Sequence, residues 1–324
     1  MIASNQQSCP RCGGPFPAAL TVGSTASCAF CGQSYQVVSA AQAAGPAASS
    51  GASGAGPGAA SEAPLPSRGA DPLASLVTKG IWQGIQAGHE LRYLERDWLL
   101  DWQPASGQFF VWHYDRTVSS GDPLPSAIVQ GTWGSIRGGH ELIGLGDEHL
   151  LDWEPASGAF RVWWVERSAR GSADVLPQVV AKGTWASIQA SKRLVYLGQD
   201  ALLDWEPSSG RFRIWHYDRS CRGEDPLPGR PLAEGVWQSI RTGHELIACG
   251  EDAILDWVPD AGNYRLWRLD RSARGQADPL PAEIASGNWA SIRSGHRLVY
   301  LGGDRVLDWE PASGAYRIWT FARH

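Results

Sequence analysis

The 324-residue sequence predicts an all-β fold: a five-bladed β-propeller of four-stranded antiparallel blades, preceded by a small zinc ribbon. Three observations carry this. One unit recurs five times with its Trp residues in fixed phase, the unit shows no helical periodicity, and two CxxC pairs stand ahead of the repeats.

The cysteine pairs come first in the chain. Cys9 and Cys12 ("CPRC") and Cys28 and Cys31 ("CAFC") are each followed by a glycine. A CxxC knuckle points two sulfurs at one ion, and two knuckles supply the four thiolates of a closed tetrahedral zinc site. Two disulfides would use the same residues, but they are rare in a reducing compartment. The segment resembles the short zinc ribbons at the head of many bacterial multidomain proteins, a likeness covering residues 9–38 alone. Such a site has no open coordination position, so its zinc would be structural.

Residues 1–39 are read as this ribbon and residues 40–70 as a linker. Between Ala40 and Ser61 only Gln42 is not Ala, Gly, Ser or Pro. That composition cannot build a core and behaves as a flexible coil with an end-to-end distance of roughly 25–30 Å.

Residues 71–324 hold the repeats. Trp82, Trp133, Trp185, Trp237 and Trp289 recur every 51 or 52 residues, each two positions after a glycine. Trp102, Trp153, Trp205, Trp257 and Trp309 keep that period, as do Trp112, Trp163, Trp215, Trp267 and Trp319. The Asp of "DPL", "DPLP" or "DVLP" (Asp71, Asp122, Asp174, Asp225, Asp278) is a fourth marker.

In the second copy "GTWGSI", "HELIGL", "HLLDW" and "AFRVW" read as four consecutive strands joined by tight turns. The longer "RSARGSADVLPQ" then reads as the crossing to the next sheet. A β-prism or an open solenoid would be the alternatives to a propeller. The copy number, period and Gly-x-Trp element resemble the tachylectin-type lectin propellers, and that resemblance implies carbohydrate binding. The "GH … DW" arrangement is not that of WD-repeat propellers, whose GH and terminal WD lie much farther apart and whose dipeptide is reversed, so that family is rejected.

Each copy carries an Asp before a Trp: Asp101, Asp152, Asp204, Asp256 and Asp308. Pairing the third and fourth runs across "EPASG" sets Trp153 opposite Phe160, Leu151 opposite Val162 and Asp152 opposite Arg161. The same register gives Asp204–Arg213, Asp256–Arg265 and Asp308–Arg317, while Asp101 faces Phe110. Two uses fit these residues. One is an architectural ion pair. The other is a sugar site in which Asp, Arg and Trp bind hydroxyls and a sugar face: Asp152, Arg161 and Trp163; Asp204, Arg213 and Trp215; Asp256, Arg265 and Trp267; Asp308, Arg317 and Trp319. On that reading the sites are expected between adjacent blades, beside this face, and to number four rather than five.

His89, His140, His244 and His296 open a strand and read as turn residues, with Lys192 in the third copy. The "DR" pairs at Asp115–Arg116, Asp218–Arg219 and Asp270–Arg271, with Glu166–Arg167 in the second copy, read as solvated strand ends, with the rim of a binding face as the alternative. A net charge of −5 and a nearly uncharged N-terminus exclude nucleic acid and anionic bilayers as expected partners. No stretch approaches the roughly 20 apolar residues of a membrane span. The N-terminus shows no basic-then-apolar leader, so a cytoplasmic location is expected. No copy holds a unique catalytic constellation, and Cys221 and Cys249, present in single copies, are assigned no role. The expected class is therefore a non-enzymatic binding module, for carbohydrate or alternatively for a protein partner with the ribbon as a second contact.

Overall fold

The computed structural model of the chain describes residues 2–3, 21–27, 34–38 and 70–322, apart from 147, 224 and 228. The expected zinc ligands Cys9, Cys12, Cys28 and Cys31 lie outside the described residues, as does most of the expected linker. The chain divides into two compact units, Met1–Ala63 and Pro64–His324. Among the described residues no helix is long and apolar enough to cross a membrane. In the first unit β1 (Ile2–Ala3) runs parallel and β2 (Thr25–Ser27) antiparallel to a central β3 (Ser34–Val38).

The second unit is a ring of five four-stranded sheets. Its first strand, β4 (Leu73–Ile81), belongs to the last blade. Blade 1 is β5 (Glu90–Tyr93), β6 (Trp98–Trp102), β7 (Gln108–His113) and β8 (Ala127–Thr132). Blade 2 is β9 (Glu141–Gly144), β10 (His149–Glu154), β11 (Ala159–Trp164) and β12 (Gln178–Thr184). Blade 3 is β13 (Arg193–Gly198), β14 (Ala201–Glu206), β15 (Arg211–His216) and β16 (Ala233–Val236). Blade 4 is β17 (Glu245–Ala248), β18 (Ala253–Val258), β19 (Asn263–Arg268) and β20 (Ala282–Asn288). Blade 5 joins β21 (Arg297–Tyr300), β22 (Arg305–Glu310) and β23 (Ala315–Phe321) to β4, which pairs antiparallel with β23 from Ala315↔Ile81 to Phe321↔Leu73. The two ends of the ring therefore close within one sheet.

The phase of the blade differs from the sequence reading. The strand before "GTW" is the outermost strand of the preceding copy's blade, because β8 pairs with β7 and β12 with β11. The long turn-rich segment lies inside a blade, between its third and outer strands, and the short "WGSIRGGH" link carries the chain to the next inner strand. A repeat has the same period wherever it is cut, so only hydrogen bonding could fix the cut.

The Gly-x-Trp element follows from packing. Gly183 pairs with Phe160, and a Cβ there would lie 2.9 Å from the Phe160 ring. With no side chain in the way, Trp185 stacks on that same ring at 4.1 Å between centroids. All five blades repeat the stack, as Trp82–Tyr316, Trp133–Phe109, Trp237–Phe212 and Trp289–Tyr264. Trp102, Trp153, Trp205, Trp257 and Trp309 are buried at 0–1% exposure and fill the sheet-to-sheet cores.

The aspartates of "DPLP" stitch neighbouring blades. Trp185 Nε1 donates to Asp225 Oδ1 at 2.8 Å, from blade 2 to the crossing segment of blade 3, and Leu227 N donates to the same oxygen at 2.9 Å. Trp82–Asp122, Trp237–Asp278 and Trp289–Asp71 repeat the stitch. Asp174 accepts from Leu176 N, while Trp133 Nε1 has no partner. Asp225→Ala is therefore expected to cost about 2 kcal/mol, since it strands a buried indole N–H. Asp174→Ala should cost about half as much. Thermal melting reads this as a drop of about 4–8 °C against a smaller one, and equal drops would dismiss the stitch.

The "DR" arginines are not solvated ends. Arg219 Nη1 donates to Gly146 O at 3.0 Å and Nη2 to Leu145 O at 2.5 Å, carbonyls in the first turn of the preceding blade. Arg116, Arg167 and Arg271 make the equivalent reach.

The inner strands face one another around the axis, and their first residues nearly alternate in charge: Glu90, Glu141, Arg193, Glu245, Arg297. Arg193 lies 3.8 Å from Glu141, and Arg297 lies 3.6 Å from Glu245. Strict alternation cannot close in a ring of five, so two like charges must meet. They are Glu90 and Glu141. Arg92 stands at that seam, 2.6 Å from Glu90, and its Nε donates to Leu142 O at 2.8 Å. Burial pushes the carboxyls of Glu141 and Glu245 up, against the pull of the arginines.

Candidate functional site

Every expected cross-strand pair forms. Asp152↔Arg161, Asp204↔Arg213, Asp256↔Arg265 and Asp308↔Arg317 are register partners, and Asp101 faces Phe110. In blade 2 Arg161 Nε donates to Asp152 Oδ2 at 2.8 Å, with Nη2 2.6 Å from the same oxygen. The guanidinium then crosses to Ser135, donating from Nη1 to Oγ at 3.1 Å and from Nη2 to the carbonyl at 3.0 Å. Ser135 precedes β9, so the Arg ties the incoming link to the face of its blade.

The other carboxylate oxygen is also taken. His140 Nδ1 lies 2.6 Å from Asp152 Oδ1, and the same contact joins His89 to Asp101, His244 to Asp256 and His296 to Asp308. These histidines therefore do more than form a turn. In the third copy Lys192 Nζ lies 3.7 Å from Asp204 Oδ1, an ion pair without a hydrogen bond. Trp163 Nε1 approaches Asp152 Oδ2 at 3.4 Å, and the Arg161 guanidinium carbon lies 5.3 Å from the Trp163 ring. Trp215, Trp267 and Trp319 hold Arg213, Arg265 and Arg317 in the same way at 5.0–5.6 Å.

Exposure divides the set. The Asp152 side chain is 1% exposed and that of Arg161 27%, and the other three blades repeat this division. The carboxylate is closed off, and apart from Asp204 Oδ1 its oxygens are hydrogen-bonded from within. Only the outer edge of the guanidinium meets water. A ligand arriving at this face therefore meets Arg, Ser and the outer strand, with the Asp behind them.

Two clefts lie there, at equivalent places. One, of about 530 Å³, opens on blade 5 over Arg317, Ser291, His296, Glu310 and Tyr316 and is bounded by Lys79 and Ile81 of β4. The other, of about 460 Å³, opens on blade 3 over Arg213, Ser187, Lys192 and Phe212 and is bounded by Glu234 and Val236 of β16, with Gln276 from the next blade. Both fall in the size range of small-molecule sites, roughly 300–1,000 Å³. Both place cations, a carboxylate, a hydroxyl-bearing Ser and an apolar rim around one space. The rim residues Ile81 and Val236 were missed in the sequence, where nothing marks an outer-strand residue as exposed.

Blade 1 departs at the charged set. Asp101 keeps its His partner, and His89 Nε2 lies 2.9 Å from Gln103 Nε2, but Phe110 replaces the Arg. Burial pushes the Asp101 carboxyl up, the His89 contact opposing it only in part. A raised folded-state value means that the ionised form costs stability above it, and that this cost disappears as pH falls through it. Relative to Asp101→Asn, the wild type is thus expected to gain stability between pH 7 and about 4. Urea midpoints of both proteins at the two pH values check this, and a constant difference would contradict it.

The fold and this repeated set define a closed five-bladed β-propeller with one charged bracket per blade, completed by Arg in blades 2 to 5. No family model matches the chain, and no curated protein matches it. Solved structures with a similar course include the β-propeller domain of Myceliophteria thermophila Cps50 (Swd1), at 12% identity and TM-score 0.36 over 72% of this chain and 82% of that one. Myxococcus xanthus glutaminyl cyclase matches at 9% identity and TM-score 0.44, over 76% of this chain and 98% of that one. Chaetomium thermophilum Raptor matches at 12% identity and TM-score 0.31 over 75% of this chain, which spans 20% of that one. Likenesses of this depth transfer no activity or partner.

Proposed function

We propose that the protein is a non-enzymatic, multivalent binding module that takes carbohydrate on the Arg-bearing outer face of its blades. The observation that carries this is the pair of equivalent clefts, each joining an Arg edge and a carboxylate to an apolar rim beside an aromatic ring. A sugar needs that combination, with directed donors and acceptors for hydroxyls and an apolar surface for its C–H face. The tachylectin-type resemblance points the same way. The repetition of the charged set through the blades favours binding over catalysis, which needs one unique constellation.

Single sites of this kind bind weakly, because hydroxyls exchange water for protein partners at little net gain. Several sites on one multivalent surface multiply affinity about 10²–10⁴-fold. A glycan array with the full-length protein tests the reading, and several positive glycans of one type are expected. A silent array would leave the second reading, a protein-interaction scaffold, which the exposed Ile81 and Val236 at 60% and 47% also favour.

The zinc ribbon is likewise a proposal. The antiparallel pairing of β2 with β3, the strands that flank Cys28 and Cys31 in sequence, supports it. Elemental analysis is expected to give about one zinc per chain, lost on Cys12→Ser. Metal-free protein would refute it.

A further inference from the structure

The ring is built from two alternating kinds of blade. "RLVYLG" occurs at 193–198 and again at 297–302, and "HELI" at 140–143 and again at 244–247, each recurring after 104 residues. "RSARG" at 167–171 and 271–275 has the same spacing. Blades 3 and 5 are therefore one type and blades 2 and 4 another. Blade 1 mixes them, with "HEL" at 89–91 and "YL" at 93–94, as the blade at the odd seam of the ring must. Both of the clefts described above lie on blades of the first type, 5 and 3.

The outer-strand position beside each cleft separates the types. It is Val236 in blade 3 and Ile81 in blade 5, but Thr132, Thr184 and Asn288 in blades 1, 2 and 4. Isolated exposed hydrophobics need no explanation, but two at one repeat position, each on the lip of a cleft, do. In blade 4 the position is tied down: Asn288 Nδ2 donates to Ala261 O at 2.7 Å and to Asn263 Oδ1 at 2.8 Å, and Arg293 Nη2 donates to Asn288 Oδ1 at 3.3 Å. Ile81 and Val236, at the same register position, have no polar side-chain atom to make such ties and are 60% and 47% exposed.

We infer that the ring carries two like ligand sites rather than four, one on blade 3 and one on blade 5, and that Val236 and Ile81 hold an apolar face of the bound sugar. The inference rests on the carbohydrate reading and narrows it. Arg161 and Arg265 are then brackets alone, while Arg213 and Arg317 serve as bracket and contact.

The test uses the full-length protein and the methyl glycoside of the strongest array glycan. Calorimetry is expected to give two sites in wild type, one in Ile81→Ser, one in Val236→Ser and none in the double variant. Thr184→Ser should keep both sites, and Ile81→Val should restore what Ile81→Ser loses. Either single serine variant should bind the array about 10²–10⁴-fold more weakly, as bivalency is lost. Both residues are exposed, so thermal midpoints should stay within a degree or two, and that separates binding from folding. Four sites in wild type, or two in the serine variants, would overturn the two-site inference and leave the carbohydrate reading intact. A wild type that binds no arrayed glycan would end both.

Discussion

Arg161→Ala is expected to destabilise the propeller by about 3 kcal/mol. Asp152 is buried at 1% exposure, and without the guanidinium its Oδ2 keeps only the long contact from Trp163. Removing one member of a buried ion pair costs about 3–5 kcal/mol because the other charge stays behind. The low end applies here, since His140 still donates to Oδ1 and the Arg itself is partly exposed. The thermal midpoint should fall by about 6–12 °C. Blade 1 supplies the comparison: there Phe110 stands in the Arg position and packs 5.9 Å from Trp112. Arg161→Phe should therefore cost less than Arg161→Ala, and Asp152→Asn should recover part of the loss in either background. A loss below about 1 kcal/mol for Arg161→Ala would mean that the bracket does not hold the blade.

Gly158→Ala should be at least as damaging. Gly158 has φ +74°, where an L side chain is strained by about 1–2 kcal/mol. A Cβ there would also overlap the carbonyl oxygen of Trp185, a backbone atom that cannot swing aside. The two strands are tied at this point, because Trp185 N donates to Gly158 O at 2.9 Å. Strain, overlap and a weakened hydrogen bond together are worth about 3–5 kcal/mol. Gly134→Ala makes the control. It has no positive φ and open space around its Cβ, so its cost should stay within about 0.5 kcal/mol. Equal melting of the two variants would reject this account of the "PASG" turn.

Much of the ring could be read from sequence because repetition reports it directly. The period set five units, and the face alternation around "EPASG" set the register of Asp152 on Arg161 and of Trp153 on Phe160. The cut between blades could not be read, since the long "RSARGSADVLPQ" crossing looks like a link between sheets. Gly171 exchanges hydrogen bonds with Ile128 and Gln130 of the previous blade while the chain stays in blade 2, and no local pattern announces that. The role of His140 was hidden for a similar reason. Its partner lies 12 residues away on another strand, although Lys192 in the third copy was a clue that the position wants a donor. The clefts depend on how far Ile81 and Val236 stand from their neighbours, which a linear pattern does not encode. The 104-residue alternation of blade types was visible, and it is the signal that singles out blades 3 and 5.

Hydrogen exchange, measured on the full-length protein with and without its strongest array glycan, tests the central claim most directly. The account predicts added protection at residues 79–81 and 234–236 and in the links that carry Ser187 and Ser291, with Asp152 and the rest of the blade 2 bracket unchanged. Protection spread equally over all four Arg-bearing blades, or confined to the inner strands around Glu141 and Arg193, would contradict it.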